Sequence, residues 1–263
     1  MRSLLFNIAF YAVSTLYVLS AALASALPGR RPVNGVVRLY ARRMLWWMRT
    51  AAGIKVDLRG QERLPEGAFI IAAKHQSYGD GFVMYAQVDN LAFVTGDHLE
   101  RFPLIGGVLK KLGAIVVDNC GGPEARRALA ESAAAAHRDG KRILIYPEGA
   151  LAKVGERFRY RTGVFHMYRD FNLPVVPVAT NLGLFWQQQA WRKNPGQATV
   201  EFLDPIVAGL DRTEFMARLE GVVEQRSAEL AAIATGEPLR ESILVPAPNE
   251  KTTVPTAEIA SAA

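Results

Sequence analysis

The chain has 263 residues, 50% hydrophobic and 21% charged. This excludes global disorder and leaves room for one sizeable α/β domain with an appendage. The net charge of +6 favours an anionic partner, whether nucleic acid, a membrane surface or a phosphorylated substrate. The one cysteine, Cys120, excludes an intramolecular disulfide and fits a reducing compartment. As a nucleophile it lacks a recognisable base beside it.

Ser3 to Gly29 carries no charged residue. About 20 apolar residues at roughly 1.5 Å each cross a bilayer core of about 30 Å, so this stretch is long enough to span. A spanning anchor, a segment dipping into one leaflet and a cleaved signal peptide are all compatible with it. After Pro28 come Arg30, Arg31, Arg38, Arg42, Arg43 and Arg49, interleaved with Leu39, Tyr40, Leu45, Trp46 and Trp47. Aromatic rings favour the headgroup level and juxtamembrane arginines the cytoplasmic face, so an amphipathic interfacial helix is expected here. The charge therefore sits beside an apolar anchor and not on a nucleic-acid recognition motif, and no nucleic acid is expected as partner.

From Ile54 onwards, short β-prone runs alternate with helical patterns. Strands are expected at 54–58, 68–73, 91–95, 114–118, 142–146, 175–180 and 199–202. Helices are expected at 81–88, 99–112, 124–138, 163–171 and 212–234. That alternation predicts an α/β fold, a mostly parallel central sheet flanked by helices. Asp211, with Glu214 three residues on, forms a capping-box arrangement for the last helix. Pro177, inside a strand pattern, points to an edge strand or a bulge. The organisation expected is membrane-anchoring helices over 1–52, a catalytic domain over 53–240 and a Pro/Thr/Ala-rich disordered tail over 241–263.

Four places could carry chemistry. In Lys74-His75-Gln76-Ser77-Tyr78-Gly79-Asp80, an apolar strand ends just before His75 and a helix begins near Asp80. Ligands of open α/β sheets bind outside the carboxyl ends of strands. A histidine there can take a proton near neutral pH, and a carboxylate on its other ring nitrogen fixes the tautomer. Taken alone, the pair reads more readily as a helix cap beside an incidental loop histidine. The second place is Tyr146-Pro147-Glu148-Gly149, again at a strand end. The third is Asp118-Asn119 after the strand from Ala114, and the fourth is Val175-Val176-Pro177-Val178. The other histidines have no metal-ligand spacing. No Gly-x-Ser-x-Gly elbow, Walker sequence or dinucleotide glycine pattern occurs.

In order, spacing and content these four motifs resemble those of the glycerolipid acyltransferase family, specifically its bacterial 1-acyl-glycerol-3-phosphate acyltransferases. His75–Asp80 matches the family's His-x4-Asp motif and Tyr146–Gly149 its aromatic-Pro-Glu-Gly motif. Arg101 to Leu109 resembles the linker helix, and Tyr160-Arg161-Thr162-Gly163 stands where aromatic-Lys-x-Gly is usual. The resemblance covers about Gly53 to Leu203. It implies an N-terminally membrane-associated enzyme at the cytoplasmic face of the cell membrane. His75 is then the general base, oriented by Asp80, and Glu148, Gly149, Asn119, Lys74 and Arg161 bind substrate. The partners implied are a lysophospholipid acceptor, acyl-CoA or acyl carrier protein, and an anionic membrane surface, with no metal or cofactor. Two family arginines are replaced, by Asn119 and Leu151. Because Arg offers bidentate donors that Asn and Leu lack, an acceptor without the phosphate, such as a lyso-aminolipid, stays open. So does a non-catalytic lipid-binding homologue.

Overall fold

The computed structural model describes residues 2–102, 104–117, 123–188 and 190–248. In chain order, helix α1 spans Arg2–Ser25 and α2 Arg31–Trp47, followed by a π turn at Met48–Ala52. Strands β1 (Ile54–Arg59) and β2 (Ile70–Ala73) lead to helix α3 (Gly79–Gln87). Then come β3 (Leu91–Gly96), α4 (Ile105–Leu112), β4 (Ile115–Val117), α5 (Pro123–Arg138) and β5 (Arg142–Ile145). The remainder is β6 (Glu156–Arg157), α6 (Gly163–Phe171), β7 (Val175–Thr180), β8 (Gly196–Phe202), α7 (Arg212–Thr235) and β9 (Ile243–Leu244).

Seven strands form one sheet in the order β1-β8-β7-β2-β5-β3-β4. Every neighbouring pair is parallel except β7–β8. This is the expected α/β architecture with a mostly parallel sheet. Strand alternation divides the core into two layers. Phe69, Ile71 and Ala73 face Phe6, Met44, Met48, Val83 and Met84 from the layer of α1, α2 and α3. Ile70 and Ala72 face Val164, Tyr168, Phe215, Leu219 and Val223 from the layer of α6 and α7. The two apolar faces of one short strand thus hold helices on both sides of the sheet, as a parallel sheet requires.

Three expectations change. The single helix expected over 99–112 is two pieces, a 3-10 turn at Asp97–Arg101 and then α4, with Pro103 between them. Pro177 lies in an interior strand, because β7 is flanked by β8 and β2. Its carbonyl accepts from Leu203 N at 2.9 Å, so its imide nitrogen faces that same neighbour. There the partner chain detours through Asp204 and Pro205 before Ile206 pairs again with Val175. A break in the ladder accommodates the missing donor, which is the bulge and not the edge. Finally, the segment expected to be disordered from 241 is structured at its start: β9 pairs in parallel with β6. Ile243 N donates to Gly155 O (2.8 Å) and Val245 N to Arg157 O (2.9 Å).

The N-terminal helices do not stand apart from the domain. Phe6 is fully buried and packs edge-on against Trp186, with ring centroids 5.0 Å apart. Asn7 donates to Trp191 O at 2.8 Å. At the other end of α1, Ala21 and Ala24 pack with Val33 of α2 and with Val108 and Leu112 of α4. The outer face of α1 leaves Leu4, Ile8, Tyr11, Leu16, Leu19 and Leu23 exposed.

Candidate active site

The sheet order brings the site together. β2 and β5 are parallel neighbours, with Ala72 opposite Ile145. Three residues past each partner come His75 and Glu148, side by side at the carboxyl edge of the sheet. That edge is where open α/β sheets bind ligands.

His75 turns toward the α3 layer. Its Nδ1 lies 3.1 Å from Asp80 Oδ2, at the first turn of α3, where the positive end of the helix dipole favours a carboxylate. The same oxygen accepts from Gln76 N and Ser77 N, each at 2.8 Å. Three donors thus hold one carboxylate oxygen, and the loop 75–80 wraps around the carboxylate. Asp80 is 4% exposed at its side chain while His75 is 18% exposed, so the imidazole is the member of the pair that reaches solvent. With Nδ1 turned to Asp80, Nε2 is the free nitrogen. The ring also stacks on Tyr146, with centroids 3.9 Å apart and planes 16° from parallel. Burial, reinforced by the charge of Asp80 and by Tyr85, keeps the Tyr146 phenol neutral far above the ordinary tyrosine range.

Lys74 turns the other way, toward α7. Its ammonium is 1% exposed and donates to Glu148 Oε1 (2.8 Å), Glu224 Oε1 (2.8 Å) and Glu156 O (3.0 Å). Glu148 is fully buried and also accepts from Phe158 N (3.1 Å) and from His75 N (3.3 Å). Burial raises the Glu148 carboxyl above the usual carboxylate range, the ammonium of Lys74 opposes this, and the charge of Glu224 adds to it. Lys74 and Glu148 were both expected to touch substrate; both side chains are buried, with their hydrogen-bonding capacity engaged inside the protein.

Gly149 follows with φ of 71°, a backbone conformation that disfavours any side chain. A methyl group there would meet Arg161 Nε at 2.6 Å, so Gly149 is the floor on which the Arg161 side chain lies. Arg161 is exposed. Its backbone N–H donates to Pro147 O (2.8 Å), tying its loop to the β5 turn. The Gly149 N–H itself is taken by Tyr146 O at 2.9 Å. Asn119 lies outside the described residues, as do Asp118 and Cys120.

Sequence reasoning passed over two residues. Tyr146 was read as the aromatic position of a motif, without the stacking that gives it a task. Glu224 was not singled out, although a charge inside the apolar stripe of α7 (Phe215, Leu219, Val223, Leu230) was a legible signal. Among the described residues no group of three or more His, Cys, Asp or Glu side chains could hold a metal ion.

A histidine–carboxylate pair at the carboxyl edge of a parallel sheet, with a partly exposed imidazole, has the geometry to take a proton from a hydroxyl. A family model described as Acyltransferase matches residues 55–181, which contain all of it. The chain belongs to this acyltransferase family. It is 32% identical over 200 residues to the 1-acyl-sn-glycerol-3-phosphate acyltransferase of Pseudomonas aeruginosa, covering 76% of this chain and 78% of that protein. It is 24% identical over 205 residues to the human 1-acyl-sn-glycerol-3-phosphate acyltransferase alpha, covering 76% of this chain and 71% of the relative. The fold matches the crystal structure of the 1-acyl-sn-glycerophosphate (LPA) acyltransferase PlsC of Thermotoga maritima with a TM-score of 0.72 at 23% identity. That match covers 88% of this chain and 98% of the other.

Proposed function

We propose that this protein transfers an acyl group to the free hydroxyl of 1-acyl-glycerol-3-phosphate, giving phosphatidic acid. The observation that carries the reading is the His75–Asp80 pair, within a chain whose curated relatives bear that activity in their names. His75 Nε2 accepts the proton of the acceptor hydroxyl as its oxygen attacks the thioester carbonyl. Asp80 holds the ring tautomer and stabilises the imidazolium. The tetrahedral intermediate collapses with departure of the thiolate, which takes the proton back from His75. The thioester donor is acyl-CoA or acyl carrier protein. No metal enters this scheme.

Arg161 is the cation best placed for the acceptor phosphate. It is exposed and lies over Gly149, one turn of chain from the Glu148 that holds His75. It is thus a substitute for the two family arginines that are absent. Lys74 cannot do this, because its ammonium is enclosed.

The membrane enters through the α1–α2 hairpin. Because α1 touches the domain near both ends, it lies along the protein, with its apolar outer face in one leaflet. The exposed arginines Arg42 and Arg43 of α2 suit anionic headgroups, and hence the cytoplasmic face. α2 packs on α3, and Tyr40 meets Phe82 with rings 5.0 Å apart. The lipid-facing hairpin is therefore one layer from Asp80.

The deciding experiment measures transfer of labelled acyl groups from acyl-CoA and from acyl carrier protein in lipid micelles. Lysophosphatidic acid is compared with a lyso-aminolipid lacking the phosphate, and His75→Ala serves as control. Product from lysophosphatidic acid that vanishes in the variant is the expected result. Product from the lyso-aminolipid alone would transfer the assignment to the second acceptor class.

A further inference from the structure

We infer that Glu224 of α7 and Ser242 of the C-terminal strap are positioning residues for His75, acting through Lys74 and Glu148; this rests on the acyl-transfer reading above. The connection is a chain of hydrogen bonds running through the sheet edge. Ser242 Oγ donates to Glu224 Oε2 at 2.7 Å, and Tyr160 Oη donates to Glu224 Oε1 at 2.9 Å. Glu224 holds Lys74 Nζ at 2.8 and 3.1 Å. Lys74 holds Glu148 Oε1 at 2.8 Å, and the other oxygen of Glu148 accepts the backbone N–H of His75 at 3.3 Å. His75 is therefore gripped from two sides, its ring by Asp80 and its backbone by this chain.

The chemistry of the cluster suits that task. Two carboxylates share one ammonium, and two neutral hydroxyl donors satisfy the carboxylate farther from His75. The members come from β2, the β5 turn, α7, the Tyr160 loop and the strap, segments that α/β packing alone would leave free to shift. Pairing of β9 with β6, and the bond of Arg157 to Ser242 O, fix the strap over the cluster. Beside it runs a cleft of about 350 Å³, lined by Lys74, Gln76, Glu224, Ser227, Arg240 and Ser242. Residues of the strap thus share the lining of this cleft with Lys74. A misplacement of about 1 Å at a reacting group can cost on the order of 10²-fold in rate, so loosening this grip reaches the reaction without touching substrate.

A merely structural ion cluster would cost stability and leave the folded enzyme's turnover alone. Glu224→Gln and Ser242→Ala are compared with wild type for kcat, for KM of both substrates and for the ring 15N signals of labelled histidines in micelles. The His75 pair of signals is assigned with His75→Ala. Glu224→Gln is expected to lower kcat about 10- to 100-fold with KM nearly unchanged. Ser242→Ala is expected to lower it about 3-fold, as the hydroxyl's bonds to Glu224 and Arg157 are lost while Lys74 and Tyr160 still hold Glu224. In both variants the His75 ring signals move or broaden while those of His137 and His166 stay. Retained kcat in both variants, or lost kcat with unmoved His75 signals, overturns the proposal. Should Glu224→Gln fail to fold, Ser242→Ala decides by the same readouts. If the wild type transfers no acyl group to any acceptor, the functional reading fails. The ring signals then still report whether Glu224 positions His75.

Discussion

Lys74 and His75 are adjacent in sequence, yet they sit on opposite faces of the sheet and in opposite chemical situations. The ammonium of Lys74 has every donor engaged and is 1% exposed, whereas the His75 side chain is 18% exposed with one ring nitrogen free. The difference comes from strand alternation at the end of β2, which sends one side chain to α7 and the next to α3. A titratable group does chemistry when its hydrogen-bonding capacity is left incomplete and accessible. It organises structure when that capacity is exhausted. The same contrast separates two carboxylates at this edge: Asp80 serves the imidazole ring and Glu148 its backbone.

The largest break in the comparison comes from His75→Ala. It should cut acyl transfer by about 10²- to 10⁴-fold, the range for a general base, while the denaturant midpoint stays near wild type. Turnover within tenfold of wild type would remove His75 from the mechanism. Lys74→Met tests the other face. It leaves two carboxylates without their cation and should cost about 3–5 kcal/mol of stability, read from equilibrium unfolding in micelles. A loss below about 1 kcal/mol would show that the cluster rearranges freely.

A smaller effect is expected at the rim. Arg161→Gln should raise KM for lysophosphatidic acid about tenfold with kcat held, as a charged hydrogen bond worth roughly 1.5–3 kcal/mol is lost. An unchanged KM would give the phosphate to another cation. The pH dependence sharpens the contrast further. Because the folded state raises the Glu148 carboxyl, it binds that proton more tightly than the unfolded chain does. The resulting stability is complete below the ordinary glutamate value of about 4.3 and falls as pH rises through the raised one. Denaturant midpoints measured across that window should therefore decline, and Glu148→Gln should flatten the decline. The smallest effect per residue is at the membrane. Replacing Arg42 and Arg43 by Gln should weaken binding to anionic vesicles by about 1 kcal/mol per residue, an effect that salt suppresses.

Much of this was legible from local rules. Strands such as 54–58, 142–146 and 175–180 announced themselves by β-prone apolar residues, and the last helix by its cap. Asp211 Oδ1 does accept from Glu214 N at 2.9 Å. The His-x4-Asp spacing carried its own geometry, because a short loop from strand to helix brings the two side chains within hydrogen-bonding reach. The roles of Lys74 and Glu148 were not legible. Their neighbours in sequence do not reveal that Glu224, 150 positions from Lys74, would meet its ammonium. Nor was the ordering of residues 242–245, since a two-residue strand exists only where a partner edge is offered.

By itself the sequence determined the α/β alternation, the apolar and basic N-terminal helices and the pairing of His75 with Asp80, all of which depend on periodicity or on contacts within a few residues. Only the tertiary structure decided that Pro177 sits inside the sheet, that α1 lies along the domain, and that Lys74 and Glu148 are buried together against Glu224. Those outcomes depend on strand order and on burial, which are properties of distant segments meeting. Burial, in turn, decides whether a charge is free to react or bound to hold its neighbours in place.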